Sequence, residues 1–359
     1  MNDKIALITD THYGVRGDQV AFLDNNTKFF NDVFFPALHE YNIQTVVHLG
    51  DMVDRRTGID FNTAMRLRTE FIDRLRHEGR FLHWILGNHD IYWRNKTSVN
   101  IAEEIYGYLD ISNNHDFKYY INPEEVRLND LLVLFIPWVC ETNAEITQQL
   151  INTTSAQVCF GHLELTGFEM YKGMFQREGQ DPEIYKKFDL VCTGHYHHKS
   201  VHNNIHYLGA TGEFSWSDYN DPRGFHIFNT VSRTLDYIQN PYTMHAKVFY
   251  DDAGQNASCQ VDFESLRDKI VKVIVKSRTN LDQYNNFIIQ VEKSQPLDLN
   301  VVEDHLNLDL VSNEVVISDV KETLTIIRDY ITSTNNIVDA VRLDNLIVDL
   351  YKQAQGIEQ

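Results

Sequence analysis

Cysteine is scarce in this sequence, and long apolar runs are missing. The chain has 4 cysteines among 359 residues, and none of them lies in a CxxC pair. This argues against a zinc-thiolate site and against a disulfide framework, so buried thiols in a reducing cytoplasm are expected. No apolar stretch approaches the roughly 20 residues that span a bilayer, and the N-terminal residues lack the charged and apolar regions of a signal peptide. We therefore expect a cytoplasmic protein with no membrane contact.

Positive charge is also scarce. The sequence has 32 Lys and Arg against 51 Asp and Glu, a net charge of −19. Because contacts to phosphate groups need Lys and Arg, this argues mildly against nucleic-acid binding by bulk charge. The acidic excess is uneven, since residues 296–359 hold 4 basic and 12 acidic residues. Bound divalent cations would add positive charge locally, so the overall charge does not exclude a nucleic-acid substrate.

Five apolar runs, each typical of a buried strand, are followed by residue types that bind metals. The runs are Ile5–Thr9, Thr45–Leu49, Phe81–Leu86, Ala156–Phe160 and Leu190–Thr193. The motifs that follow them are Asp10-Thr11-His12, Gly50-Asp51, Gly87-Asn88-His89-Asp90, Gly161-His162 and Gly194-His195-Tyr196-His197. Sites in open α/β sheets form where the carboxyl ends of strands meet. Oxygen and imidazole ligands without thiolate suit manganese, iron, zinc or magnesium, so we predict an α/β fold with a divalent metal site.

The specificity of these motifs lies in their combination. A single Gly-Asp after a strand is usually a turn or a helix cap, and a single Gly-His is usually a hydrogen-bonded core residue. The segment Gly87–Asp90 is more specific because it places an amide, an imidazole and a carboxylate in consecutive positions. Two cations about 3.5–4 Å apart need a bridging ligand, and the carboxylate of Asp51 is the natural candidate.

The first part of the chain, residues 1–244, alternates strand-like runs with helical patterns. Helices are predicted near Thr27–Tyr41 and near Asn62–Glu78, where apolar residues recur at helical spacing before Gly79. The pattern then changes to short strands at His206–Leu208, Phe225–Phe228 and Thr234–Ile238. Residues 1–244 are therefore predicted to form one domain.

Two smaller parts are predicted to follow. Residues 245–295 indicate a small α+β domain with strands at Lys269–Lys276 and Phe287–Glu292 and a helical segment at Leu281–Asn286. Residues 296–359 indicate an acidic linker and then a helical tail, in which Asp319 and Glu322 fit a capping box. The tail has two apolar stripes, Val320, Leu324, Ile327 and Ile331, and Leu343, Leu346, Ile347 and Leu350.

The order of the five motifs resembles that of the calcineurin-like metallophosphoesterase superfamily. More narrowly, the chain resembles the SbcD-like nuclease subunits of DNA double-strand-break repair complexes, most of all those of T-even bacteriophages. The narrower resemblance rests on Leu134–Trp138 with Cys140-Glu141, and on Phe160–Glu164, Tyr171–Met174 and Asn220–Phe225. It covers residues 1–240 well and implies a four-layer αββα sandwich, a small α+β capping domain and a C-terminal helical segment.

The resemblance also implies a role for each motif residue. Asp10, His12, Asp51 and His197 would hold one cation, and Asp51, Asn88, His162 and His195 would hold the second. His89 would stay off the metals and act on the substrate, and Asp90 would orient its ring. Manganese is the metal that the resemblance favours, whereas the ligand types themselves suit magnesium, iron or zinc as well.

Candidate DNA contacts flank the motifs. Arg55 and Arg56 follow the second motif, and Trp93, Arg94 and Lys96 follow the third. A loop that mixes aromatic and basic residues is typical of surfaces that bind single strands. The plainer alternatives are a solvated face for the two arginines and a surface loop anchored by Trp93.

Neighbouring residues compete for the same roles. We expect His48 and His83 to be packed in the core, and His198 to lie behind the metal ligands or toward solvent. Asp54 is either a helix cap or a residue that supports the ligands.

These features together predict a two-metal DNA nuclease, a 3′→5′ exonuclease and single-strand endonuclease of recombination and double-strand-break repair. By resemblance, it would bind an SMC-like ATPase through its C-terminal helices, form a homodimer through early helices and work in a bacterial host. The alternatives are another metallophosphoesterase, such as a cyclic-nucleotide phosphodiesterase or protein phosphatase, and a scaffold that has lost catalysis. The scaffold is disfavoured because no ligand position is missing.

Overall fold

The secondary structure is known for most of the chain, since the computed structural model describes residues 3–107, 116–253 and 261–303. The described strands are β1 (Lys4–Ile8), β2 (Thr45–His48), β3 (Phe81–Ile85), β4 (Ile91–Trp93), β5 (Lys96–Asn100), β6 (Phe117–Tyr120), β7 (Glu124–Leu128), β8 (Leu131–Ile136), β9 (Val158–His162), β10 (Glu169–Tyr171), β11 (Met174–Phe175), β12 (Leu190–Gly194), β13 (Ser200–His202), β14 (Ile205–Tyr207), β15 (Gly224–Asn229), β16 (Leu235–Gln239), β17 (His245–Asp251), β18 (Ile270–Ser277) and β19 (Asp298–Glu303). The five strands predicted to precede the metal motifs are confirmed as β1, β2, β3, β9 and β12.

The helices lie between these strands. Helix α1 consists of Val20–Phe29, a π-helical turn at Phe30–Phe34, and Phe35–Glu40; α2 consists of Phe61–Arg66, a π-helical turn at Leu67–Ile72, and Asp73–His77. The others are α3 (Ile101–Tyr106), α4 (Ala144–Thr153) and α5 (Leu281–Lys293), and short helical turns occupy Val15–Asp18, Pro182–Tyr185, Trp216–Asp218 and Phe263–Leu266. No described helix combines the length and apolar character needed to cross a membrane.

Two six-stranded sheets carry the metal motifs. The first has the order β16-β15-β1-β2-β3-β6, and the second has the order β13-β14-β12-β9-β8-β7. Strands β1, β2, β3 and β6 are parallel, as are β14, β12, β9 and β8. The carboxyl ends of three motif-bearing strands therefore share one edge of the first sheet, and those of the other two share one edge of the second.

Apolar side chains hold the sheets and helices in layers. Leu7 of β1 packs with Phe160 of β9 between the two sheets, whereas its neighbour Ile8 faces the opposite way and packs with Phe34 of α1. Cys159, next to Phe160, faces the outer side of the second sheet, where α4 and loops cover it. Successive strand residues point to opposite faces, so this alternation builds the predicted α/β sandwich from helices, two sheets and an outer layer of α4 with loops.

The two long helices end close to the residues at which the sequence predicted them to end. The side chain of Asp60 caps α2 by accepting from Asn62 N at 2.8 Å, and Gly79 follows the helix with a φ of 68°. Helix α1 begins earlier than predicted. Its π-helical turn places an N–H···O bond from Phe35 to Phe30, directly before Pro36, which has no N–H to continue the regular pattern.

The small domain is a parallel three-stranded sheet with the order β17-β18-β19, and α5 packs on one face. The predicted strand at Phe287–Glu292 is wrong, because these residues belong to α5. Asn280 caps this helix by accepting from Gln283 N at 3.1 Å, and Phe287 and Val291 are buried at helical spacing. The local run of apolar residues suggested a strand, but the cap and the longer spacing decide for a helix.

The C-terminal predictions have different outcomes. Strand β19 lies within the stretch that was predicted as an acidic linker. The capping box at Asp319 and the two apolar stripes of the tail lie outside the described residues. Of the four cysteines, Cys140, Cys159 and Cys192 are buried free thiols as predicted, and Cys259 lies outside the described residues.

Candidate metal centre

The predicted metal ligands come together where the two sheets meet at the carboxyl ends of their strands. Among the described residues, three groups have donor atoms within 4.8 Å of one another, and one of them is His12, Asp54 and His89. The two that contain the predicted ligands are Asp10, His12 and His197, and Asp51, His162 and His195. We call them the first and the second ligand group. The first sheet supplies Asp10, His12 and Asp51, and the second supplies the other three. The site therefore spans the apolar layer between the sheets.

Two members of the first ligand group are almost fully buried. Asp10 and His12 are 0% and 3% exposed. The Nε2 atoms of His12 and His197 lie 3.0 Å apart, and His12 Nε2 lies 3.9 Å from a carboxylate oxygen of Asp10. Two imidazole nitrogens and a carboxylate that point to one place are suitable donors for a borderline divalent cation.

The amide predicted for the second cation, that of Asn88, lies beside the second ligand group. His162 Nε2 lies 3.2 Å from Asp51 Oδ2, and Asn88 Oδ1 lies 3.0 Å from His162 Nε2 and 2.9 Å from His195 Nδ1. The same Asp51 oxygen lies 3.8 Å from His12 Nε2 of the first group. Asp51 is thus the carboxylate that reaches both groups, as a bridging ligand must.

Contacts on the far side of the rings direct their free nitrogens into the centre. His162 Nδ1 donates to the main-chain oxygen of Leu49 at 2.7 Å. His12 Nδ1 lies 3.3 Å from a carboxylate oxygen of Asp54. Such partners fix the ring orientation and tautomer of metal-binding histidines, so Nε2 is the available donor on both rings. Asp54 therefore supports the ligands, which decides between its two predicted roles.

The backbone is strained where the ligands begin. Asp10, His12, Asp51 and His195 have φ angles of 50°, 40°, 54° and 91°. Non-glycine residues rarely adopt this left-handed region, which costs about 1–3 kcal/mol per residue and is concentrated at functional sites. The turns bring the side chains back over the strand ends. No feature of the sequence predicted these conformations.

Two glycines of the motifs are required by close contacts. A Cβ on Gly87 would lie 2.2 Å from Asp51 Oδ1, and one on Gly194 would lie 2.0 Å from Thr9 Oγ1 and 2.9 Å from Asp10 Oδ2. Any side chain at these positions would displace the carboxylates. The two glycines thus leave the space that the ligand carboxylates occupy, and the donor set with its backbone fits a pair of divalent cations.

His89 lies beside the ligand groups, but Asp90 does not orient it. Its ring is edge-on to His12 with centroids 4.9 Å apart, and its Nδ1 donates to the main-chain oxygen of Asp54. The Asp90 carboxylate instead accepts from four main-chain N–H groups, those of Asp51, Met52, Val53 and Gly87, and from the Trp84 indole. The predicted contact between Asp90 and the His89 ring is therefore wrong, because the side chain turns inward and fixes the loop that carries Asp51.

The remaining histidines lie as predicted. His48 is fully buried, with Nε2 3.0 Å from Thr11 Oγ1, and His83 Nδ1 lies 2.7 Å from the Tyr120 hydroxyl. Burial lowers the pKa of both to about 3. The His198 side chain is half-buried, and its Nδ1 lies 2.9 Å from Asp221 Oδ2.

The candidate DNA contacts have different surroundings. Arg55 is paired with Asp18, while Arg56 Nη2 lies 3.2 Å from the Asn88 amide. Trp93 is 39% exposed on the β4–β5 hairpin, and Lys96 Nζ lies 4.0 Å above its ring. Arg94 belongs to the turn that joins these two strands.

Two aromatic residues that were given no role pack directly on the ligands. The Trp138 ring lies 5.0 Å from that of His195. The Phe214 ring lies 5.3 Å from His12 and 5.5 Å from His197. Both come from loops far along the chain, and only the motif around Trp138 drew attention to either of them in the sequence.

The charges of the centre favour protonated histidines. Burial alone would lower the pKa of His162, but the charge and hydrogen bond of Asp51 outweigh it and raise the pKa to about 9. Burial is likewise outweighed at His12, where Asp54 and then Asp51 raise the pKa to about 9. Burial and the His12 charge lower the pKa of His197 well below its usual value. Each ligand group therefore has one imidazole that carries a proton at neutral pH.

Cation binding should therefore release protons. A nitrogen must lose its proton before it binds a metal, so at pH 7 we expect about two protons to leave per chain when both groups fill. Affinity should rise as pH increases from 7 to 9 and level off above pH 9, where His12 and His162 are already neutral. Calorimetric titrations with Mn²⁺ in buffers of different ionisation enthalpy measure this release. Binding heats that do not depend on the buffer would contradict it.

Comparison with known proteins places this arrangement among phosphoesterases. The calcineurin-like phosphoesterase family matches residues 3–199. The chain is 30% identical over 348 residues to "Exonuclease subunit 1" of Enterobacteria phage T4, covering 94% of this chain and 95% of that protein. It is 25% identical over 255 residues to one of the subunits of the SbcCD nuclease of Staphylococcus saprophyticus, covering 65% of this chain and 67% of the relative.

Two solved structures are also similar in part. One is an archaeal phosphodiesterase, with 14% identity and a TM-score of 0.34, covering 66% of this chain and 99% of that one. The other is the Pseudomonas putida nuclease MPE, with 15% identity and a TM-score of 0.31, covering 65% of this chain and 86% of that one.

Proposed function

Because the chain belongs to the calcineurin-like phosphoesterase family, we propose that it is a two-metal DNA nuclease. It would act as a 3′→5′ exonuclease and as an endonuclease on single strands in recombination and double-strand-break repair. The observation that carries the proposal is Asp51, whose carboxylate reaches both ligand groups. The choice of DNA over another phosphodiester is supported by similarity along 94% of the chain to a protein named as an exonuclease subunit.

We assign the ligands as follows. Asp10, His12, Asp51 and His197 hold one cation, and Asp51, Asn88, His162 and His195 hold the other, with Mn²⁺ as the metal that we expect. When bound, two divalent cations withdraw charge from the phosphate and make water a stronger nucleophile at neutral pH. Asp10 and Asp51 are the only carboxylates in this ligand set, so the loaded centre keeps a net positive charge that attracts an anionic phosphodiester.

His89 is the residue that we assign to the leaving group. Because Nδ1 donates to Asp54, Nε2 is free to face the substrate and give a proton to the departing sugar oxygen. Burial and the His12 charge lower the pKa of His89. The negative charge of a bound phosphate acts in the opposite direction and favours the imidazolium, so the group becomes an acid when substrate is present.

Cleavage of end-labelled single-stranded DNA by the purified chain tests the function. We expect mononucleotides to be released with Mn²⁺, and no release with chelator. A small diester such as bis(p-nitrophenyl) phosphate serves as the comparison substrate. Turnover of the small diester without cleavage of DNA, also in the presence of an ATPase partner, would replace the nuclease with another metallophosphoesterase, such as a cyclic-nucleotide phosphodiesterase.

An SMC-like ATPase is the proposed partner, bound through the C-terminal residues 296–359. The net charge of −19 gives the chain few groups that can replace the counterions of DNA. We therefore expect the isolated chain to bind DNA weakly and the complex with the ATPase to bind it at least about tenfold more tightly. Fluorescence anisotropy at one fixed salt concentration compares the two. Equal affinities would contradict this prediction.

A homodimer is proposed through α1 and α2, which lie side by side. Arg66 of α2 contacts Asp24 of α1 at 2.7 Å, and near their starts the helices expose large apolar side chains: Val20 at 56%, Phe61 at 91% and Met65 at 45%. Such residues in solution favour association.

Phe61→Glu should therefore dissociate the dimer. A charge buried in an apolar interface without a partner is strongly unfavourable, so we expect the dimer dissociation constant to rise by at least about tenfold. Sedimentation equilibrium measures it. Ile146→Glu is the control, because Ile146 is 47% exposed on α4. Equal effects of both substitutions, or a monomeric parent chain, would contradict the proposed surface.

A further inference from the structure

A short segment joins the small sheet to the metal centre. We call residues 213–218 the strap. At one end, the buried carboxylate of Glu213 accepts from the main-chain N–H groups of Met244 and His245, each at 2.9 Å, and lies 3.3 Å from His245 Nδ1. The Trp216 ring packs against the His245 ring with centroids 4.8 Å apart, and Lys272 Nζ lies 4.3 Å above it. The strap therefore holds the beginning of β17 and the face of β18.

The strap also touches the first ligand group. The Phe214 ring lies 5.3 Å from His12 and 5.5 Å from His197, and it is 6% exposed. Arg16 Nε donates to the main-chain oxygen of Phe214 at 2.8 Å. Both imidazoles of this group therefore pack against the Phe214 ring.

A buried ion pair fixes the strap to the loop that carries His197. Asp218 is fully buried and accepts from the main-chain N–H groups of Phe214 at 2.8 Å and Ser215 at 2.9 Å. It also accepts from Arg223 Nη2 at 2.9 Å. Arg223 is 4% exposed, and its Nη1 donates to the main-chain oxygen of His197. One guanidinium therefore holds the strap and the ligand loop together.

The second ligand group is supported differently. His162 is held by the main-chain oxygen of Leu49, and His195 packs on Trp138 and lies beside the Asn88 amide. These partners follow β2, β3 and β8 rather than the strap. The two groups thus differ in the side chains that support them, although they are linked by Asp51, by the loop that His195 and His197 share, and by the His195 main-chain N–H, which lies 3.2 Å from both Asp10 carboxylate oxygens.

We propose that Arg223 and Asp218 are positioning residues for the cation held by the first ligand group, and that the strap makes this cation depend on the small sheet. The cation of the second group would be nearly independent of both. The proposal rests on the ligand assignment made above but not on DNA as the substrate. Measurements of cation binding alone test this proposal. A failure to cleave DNA would therefore contradict the proposed nuclease function but not the proposed role of Arg223 and Asp218.

Arg223→Met is the main test, with Mn²⁺ as the probe. Loss of a residue that supports a metal ligand weakens metal affinity by about 10–100-fold. We expect that loss for one of the two ions, and a change of less than about twofold for the other, by calorimetry. Electron paramagnetic resonance should then show isolated Mn²⁺ at concentrations where the parent chain shows a spin-coupled pair. Equal weakening of both ions, or of neither, would overturn the proposal.

Arg233→Met is the matched control. Arg233 also pairs with a carboxylate, that of Asp189, which precedes β12 at the end opposite to the ligands. We expect it to leave both affinities unchanged. Arg223→Lys keeps one donor nitrogen and a positive charge, so it should give an intermediate loss and serves where the methionine variant fails to fold. A parent-like affinity in the folded lysine variant together with a parent-like affinity in Asp218→Asn would overturn the proposal.

A double-mutant cycle shows whether Arg223 acts through His197. If it does, adding Arg223→Met to His197→Ala should cost little further affinity, because the positioned ring is already gone. Additive losses would show that Arg223 acts by another route. Glu213→Ala tests the link to the small sheet and should weaken the same ion as Arg223→Met. Unchanged affinities in a folded Glu213→Ala chain would overturn the dependence on the small sheet.

Discussion

His89→Ala is expected to leave both cations bound and to lower the rate of DNA cleavage by about 10²–10⁴-fold, the usual contribution of a positioned general acid. The ring nitrogen Nδ1 of His89 is held by the Asp54 main chain, and the ring lies outside the first and second ligand groups. Its removal should therefore spare metal binding. Single-turnover cleavage with Mn²⁺, next to a Mn²⁺ titration, measures the two effects separately.

A substrate with a good leaving group provides the internal control for His89. Bis(p-nitrophenyl) phosphate releases a phenolate that needs no proton, so His89→Ala should slow this reaction far less than it slows DNA cleavage. His202→Ala, at an exposed position on β13, should change neither reaction. Loss of metal from His89→Ala would mean that the residue is a ligand. An equal loss on both substrates would mean that it binds the phosphate rather than protonates the leaving oxygen.

Asp51→Asn is expected to weaken both cations and to remove activity almost completely. Its carboxylate is 3.2 Å from His162 Nε2 and 3.8 Å from His12 Nε2, so one substitution removes negative charge from both ligand groups. Residues that merely support a ligand are worth about 10–100-fold in metal affinity, and we expect at least the upper value here for each ion. Calorimetry and elemental analysis of the purified chain measure occupancy.

Asp10→Asn is the matched comparison for Asp51. Asp10 belongs to the first ligand group alone, so its substitution should weaken one ion and leave the other bound. The Asp51 prediction would be contradicted if Asp51→Asn also left one ion bound with unchanged affinity, since Asp51 would then not bridge. Circular dichroism of both variants controls for folding, because each carboxylate is buried.

The ligands were predictable because each ligand residue follows closely, in the sequence, the strand that positions it. Each apolar run forms a buried strand, and parallel strands bring their ends to one edge, so the positions of Asp10, Asp51 and His162 followed from local sequence. The strand at Phe287–Glu292 was mispredicted for the same local reason, because a few apolar residues in a row do not separate a strand from a helix. The feature that identifies this segment as a helix is the Asn280 cap, which lies several residues earlier.

The supports of the site could not be predicted because they depend on tertiary contacts. Asp90 sits next to His89 in sequence, yet its carboxylate turns to the main chain of the Asp51 loop. Phe214 reaches His197 from a segment without a motif, and Arg223 lies in the Asn220–Phe225 motif, which gave no sign of its contact with the His197 main chain. The left-handed φ of Asp51 could not be predicted either, since aspartate adopts this region more often than most residues but still at a minority of positions.

The position of the ligands along the chain sets the order in which the protein can mature. His12 and His197, whose nitrogens lie 3.0 Å apart, are separated by 185 residues. Contacts between such distant residues form late, after the loop between them has closed. A nascent chain emerging from the ribosome therefore carries its first ligands long before it can enclose a cation. We therefore expect both ligand groups to bind their cations only after the two sheets have docked.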